Sequence, residues 1–173
     1  MIGCIRFTAL AGLSVAALAG CVANIGVPQT RSDFVKMVKP GGLFRSTETK
    51  TVKRPFNAVA KDLKEFGDKC LDVRTTRAPN YTIKEAGGTT KYNPKFKMLG
   101  NNKASLSLQE LYNKPTDQEN SGAPVGGIFV LVAEVQPQGG GTKVDVYHLG
   151  RGSIADYALD WAEGNKSRCP RLP

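Results

Sequence analysis

Ile128-Phe129-Val130-Leu131-Val132-Ala133-Glu134-Val135 is apolar at nearly every position, and this stretch decides the architecture. Successive side chains of a strand point to opposite faces. A strand with no polar face is therefore covered on both sides, or stands in the wall of a barrel. Gly139-Gly140-Gly141 follows as a hairpin turn and leads into Lys143-Val144-Asp145-Val146-Tyr147-His148-Leu149. Upstream the pattern alternates instead. Tyr92, Phe96 and Met98 fall on one face, with Lys91, Lys95 and Lys97 on the other. Gly100-Asn101-Asn102 turns the chain, and Leu106, Leu108 and Tyr112 alternate again. Further strands are predicted over 44–53, where Thr47, Thr49 and Thr51 alternate, over 71–75, and at Tyr81-Thr82-Ile83-Lys84 before the Gly87-Gly88 turn. Residues 114–124 are polar and rich in Pro, Asn and Gly, so they read as an exposed loop.

Two helices flank these strands. Phe56, Val59, Ala60, Leu63 and Phe66 recur at spacings of three and four, with Lys61, Asp62, Lys64 and Glu65 on the other side. Pro55 suits the first helical position, Gly67 weakens the end, and Cys70 continues the apolar stripe. Near the C-terminus, Ser153 is an N-cap candidate with Asp156 three residues on. Ile154, Tyr157, Ala158 and Trp161 then share one helical face, and Gly164 ends it. The fold class is α+β, in the order β-α-β(4–6)-α, with an antiparallel sheet packed by an early and a C-terminal helix. That order resembles the helix-grip arrangement of the Bet v 1-like proteins and of the BamC lipoprotein's domains. The likeness is one of element order, without a diagnostic motif. Tyr157 and Trp161 on that helical face either line a cavity beneath the last helix or belong to the core, and a fold alone does not give a function.

The N-terminus supplies an address. Arg6 is the only charged residue of the leader, and residues 7–19 are dominated by Ala, Leu, Gly and Val. As a helix they would reach roughly 20 Å, short of the roughly 30 Å hydrocarbon core, so they suit the apolar centre of a signal peptide. Leu18-Ala19-Gly20-Cys21 resembles the bacterial lipobox. The resemblance implies cleavage before Cys21 and acylation of that residue. One acyl chain anchors only marginally at about 0.8 kcal/mol per buried methylene, whereas two or three hold firmly. The n-region departs from the pattern in carrying a single Arg. Val22 stands where an Asp would retain the protein at the inner membrane, so the implied location is the outer membrane, facing the periplasm. The predicted organisation is a signal peptide over 1–20, a lipidated tether over 21–42 and one α+β domain over 43–173. Within the tether, Ser32-Asp33 is positioned to cap a short helical turn carrying Phe34, Val35 and Val38, which either docks on the domain or belongs to a semi-extended spacer.

Export sets the chemistry of the remaining cysteines. Cys4 leaves with the leader, Cys21 carries lipid, and Cys70 and Cys169 remain for a disulfide in an oxidising compartment. A metal centre would need more ligands than these two and the lone His148, and no cofactor motif is present. Gly150-Arg151-Gly152 lacks the Lys-Ser/Thr ending of a phosphate-binding loop and reads as a turn. Asp145, His148 and Ser153 are the residue types of a catalytic triad, but they sit on one strand and its following turn, with no nucleophile elbow. The formal charge of +9 would point to nucleic acid inside a cell. Outside the cytoplasm the natural partners are anionic envelope components or lipid headgroups, with Lys91, Lys95 and Lys97 either candidate contacts or simply the solvated face of their strand. The expectation is a non-catalytic envelope lipoprotein that binds or scaffolds other components. A carrier of a small hydrophobic ligand is the alternative, and an envelope hydrolase is a third.

Overall fold

The computed structural model describes residues 26–78, 87–113, 122–166 and 168–172. The leader, Cys21, the predicted strand at Tyr81–Lys84 and most of the polar loop over 114–124 lie outside these residues. Helix α1 (Arg31–Val38) is followed by strand β1 (Arg45–Val52) and helix α2 (Phe56–Leu71). Strands β2 (Arg74–Arg77), β3 (Gly88–Met98), β4 (Ala104–Asn113), β5 (Ile128–Gln138) and β6 (Gly141–Leu149) come next, and helix α3 (Gly152–Glu163) closes the fold. The strands make one antiparallel sheet in the order β1-β6-β5-β4-β3-β2. From β1 onward the sequence of elements is the expected one, with five strands between the two helices.

Helices α2 and α3 share one sheet face. Their apolar stripes meet Leu106, Leu108, Leu131, Ala133, Val135, Val144 and Val146 in the main core. Phe66 stacks on Trp161, with ring centroids 5.8 Å apart. Gly67 lies inside α2 rather than at its end, because the helix crosses β4 closely there: a Cβ at Gly67 would come within 2.8 Å of Leu106 Cδ1. Arg54 then joins the two helices. Its guanidinium donates to the carbonyls of Trp161 and Ala162 at the end of α3 and to Asp62 Oδ2 at 2.7 Å. Cys70 and Cys169 form a disulfide with Cα atoms 5.2 Å apart, tying the last turn of α2 to the tail beyond α3.

The opposite face explains the unbroken apolar run of β5. Helix α1 docks there, and Phe34 and Val38 are fully buried against Phe129, Val132 and Tyr147. A register shift between Leu108 and Gln109 in the β4–β5 pairing inserts an extra residue into β5. Val130 and Leu131 both reach the main core, whereas Phe129 and Val132 face α1. Of the two readings of Phe34, Val35 and Val38, docking is the observed one. The stretch expected as tether therefore becomes packed structure from α1 onward, with α1 on one side of the sheet and α2 and α3 on the other.

Three boundaries differ from the sequence reading. Thr30, not Ser32, caps α1. Its hydroxyl accepts from the Asp33 N–H while Asp33 reaches back to the Thr30 N–H. Pro55 is the N-cap of α2, and Leu71 is its last residue rather than the first of a strand. Arg151, not Ser153, precedes α3. The early start follows from two contacts: His148 Nδ1 accepts the Arg151 N–H, and Glu110 holds the Arg151 side chain.

Candidate functional site

Alternation in β4 predicts a half-solvated strand, with Leu106 and Leu108 inward and the intervening polar residues in water. The leucines obey. The polar set does not: Ser105, Ser107 and Gln109 are only 1%, 6% and 1% exposed. They lie on the α1 side of the sheet, at the floor of a groove of about 490 Å³. One wall is the start of α1, from Gln29 to Ser32. Lys95, Lys97 and Leu99 of the β3 side form another, and Pro124, Val125 and Phe129 complete it.

Side chains on the floor hold this wall in place. Gln109 Nε2 donates to the carbonyls of Gly127 at 2.8 Å and Val125 at 3.3 Å. Asn93 Nδ2 donates to the Gly126 carbonyl at 2.7 Å. At Gly126 the backbone has φ +101°, and a Cβ there would lie 3.0 Å from Gln109 Oε1 and 3.1 Å from Lys95 Nζ. Only glycine leaves space for the amide and the ammonium to converge. Gln29 Nε2 fixes the other wall by donating to the Gly122 carbonyl at 2.7 Å. Ser107 Oγ donates to the Lys95 carbonyl. Ser105 Oγ, though buried, has no hydrogen-bond partner among the described residues.

The charge of the groove is one-sided. Among the described residues its lining contains Arg31, Lys95 and Lys97 and no carboxylate. Arg31 pairs with Glu134, which also receives Lys103 at 2.8 Å. Lys97 stands directly across from Ser105 in the β3–β4 register, and Lys95 across from Ser107. Lys91, the third member of the predicted lysine stripe, shares their strand face but does not line the groove.

The remaining candidates are dispersed. Trp161 is fully buried in the main core, and Tyr157 lines a shallow surface depression with Asp160, Asn165 and Arg168. The two rings touch at 6.4 Å but do not line one cavity. Asp145 accepts from Thr49 and pairs with Lys143 at 2.8 Å. His148 is on the other face of β6, with Nε2 3.0 Å from Glu48 Oε1. Because Nδ1 already accepts the Arg151 N–H, the ring proton is on Nε2 and points to Glu48. Ser153 is exposed at the start of α3. The triad-like residue set is thus split by the sheet.

A buried ion pair also escapes sequence reasoning. Glu110, 0% exposed, accepts both Arg151 Nε at 2.8 Å and Arg151 Nη2 at 2.6 Å, and the Tyr112 hydroxyl donates to it as well. Burial alone would lower the Arg151 pKa, but the bonds to Glu110 and its charge raise it. Burial and the Glu110 bond push the Tyr112 hydroxyl well above its usual range. This cluster pins the start of α3 to β4. No group of three or more His, Cys, Asp or Glu able to hold a metal occurs among the described residues. No protein-family model matches this chain, and no curated protein matches it.

Proposed function

We propose that this chain is a lipid-anchored envelope protein, held through Cys21 on the periplasmic side of the outer membrane, whose domain binds an envelope component without transforming it. The groove beside α1 carries the reading. It is open, cationic and floored by buried polar side chains, one of which has no partner. Pockets of about 300–1,000 Å³ with a few placed polar groups suit ligand recognition. The separation of Asp145, His148 and Ser153 favours binding over hydrolysis. A carrier with its cavity beneath α3 finds less support, because Trp161, Ala158 and Ile154 are packed there.

A photoreactive residue tests the binding role. Val125 is 93% exposed at the rim of the groove, whereas Lys61 is exposed on α2, on the far side of the sheet. In cells, a benzophenone at position 125 is expected to give a discrete crosslinked product that one at position 61 does not. Equal, diffuse crosslinking from both positions would contradict the proposal.

A further inference from the structure

The groove's chemistry narrows the class of ligand, given the reading of it as a binding site. We infer that it takes a phosphate-class oxyanion carried on a small organic body, such as a free glycerol phosphate or the headgroup of a phospholipid. Three independent observations converge. The first is the excess of cations over carboxylates in the lining, with Lys95 and Lys97 in no ion pair among the described residues. Asp33 caps the helix start and Glu134 pairs with Arg31, so the positive charge left to meet an anion is that of Lys95 and Lys97.

The second is the start of α1. Its N-cap and first two helical residues, Thr30, Arg31 and Ser32, line the groove. The first N–H groups of a helix have no partner within it and carry partial positive charge. Thr30 satisfies the Asp33 N–H, and no hydrogen bond among the described residues takes the N–H groups of Arg31 and Ser32, which remain available to an oxyanion.

The third is Ser105. Its hydroxyl is a buried donor without a partner, across the strand pair from Lys97. A buried polar atom left unpaired costs roughly 1–3 kcal/mol, and an oxyanion at the groove floor would remove that cost. Phosphate has acceptor oxygens on all sides, so ammonium, hydroxyl and backbone donors can engage it together. The remaining length of the groove, along Ser107 and Gln109 with Val125 and Phe129 opposite, leaves room for a sugar-sized or glycerol-sized body.

The test uses the detergent-extracted full chain, titrated calorimetrically with inorganic phosphate and glycerol phosphate at constant ionic strength in chloride. Saturable binding is expected. Ser105→Ala should weaken it about tenfold, the worth of one hydrogen bond to a charged group, with no loss of thermal stability. The Lys95→Gln/Lys97→Gln pair should abolish it. Flotation of the Cys21→Ser chain with phosphatidylglycerol or phosphatidylcholine vesicles separates the sources. Lysine-dependent binding to the former vesicles identifies a headgroup, and binding of glycerol phosphate alone identifies a soluble ligand. Either supports the inference. No saturable binding, or binding that both sets of substitutions leave unchanged, overturns it. If crosslinking from position 125 persists in that case, the binding role stands and only the phosphate assignment falls.

Discussion

Two buried carboxylates are each held by cations, Asp62 by two and Glu110 by one. Asp62 is nearly inaccessible, and burial alone would raise its pKa, but the bonds and charges of Lys166 and Arg54 outweigh this and hold it below 3.8. A carboxyl whose pKa is lower folded than unfolded adds stability above the unfolded value and loses it as pH falls through the folded one. Wild-type protein should therefore lose stability as pH falls below about 4, and Asp62→Asn should flatten that limb of a denaturant-stability profile while lowering the neutral plateau. An unchanged acid limb would show that the Arg54–Asp62–Lys166 link is energetically silent. Glu110 is different because a single cation, Arg151, engages both its oxygens, with the Tyr112 hydroxyl as a neutral donor. Arg151→Ala leaves an uncompensated charge in the core and should cost about 3–5 kcal/mol in urea melts. A loss under about 1 kcal/mol would mean that the pair behaves as a surface ion pair. Neither partnership is legible in the sequence. Arg151 sits between two glycines, where turn chemistry is the local message, and Glu110 lies 41 residues away.

At the scale of elements, threonine alternation located β1, and hydrophobic periodicity located α2, α3 and the strands from β3 to β6, because each of these has an apolar face that must be buried whatever the partner. It was also correct in detail for β5, whose two apolar faces meet different helices. Periodicity failed where burial is polar. In β4 the residues between the leucines resemble a solvated face, and only the three-dimensional closure by α1, Lys95 and the 124–127 turn hides them. Lys95 and Lys97 were recognisable as a stripe. Their selection over Lys91 was not, since it depends on how far α1 and Val125 extend across the sheet. Docking of α1 gives a direct prediction. Phe34 is fully buried against Phe129, with centroids 6.1 Å apart, so Phe34→Ala should destabilise the protein by about 3–5 kcal/mol. Amide exchange at Phe34 and Lys39, which bond to Thr30 and Val35 carbonyls, should accelerate together. Unchanged stability and exchange would mean that residues 31–38 act as a spacer.

For the molecule as a whole, the disulfide and α1 constrain the two ends of the chain. The bridge closes a loop of 99 residues, worth up to about 4.7 kcal/mol in the chain-entropy model, and fastens the tail to α2. At the other end, Cys21 precedes α1 by ten residues, a reach of at most about 35 Å at 3.3–3.6 Å per residue. Anchoring through Cys21 would keep the groove, one wall of which is the start of α1, close to the membrane surface. Fold order was readable from local patterns; the groove was not, because its walls come from segments far apart in the chain. The central claim is that this groove is occupied in the envelope. Amine labelling in intact membranes, compared with the purified chain, tests it most directly. Lys95 and Lys97 should be protected in membranes while Lys61 and Lys91 label equally in both. Equal labelling of all four lysines in both samples would contradict it.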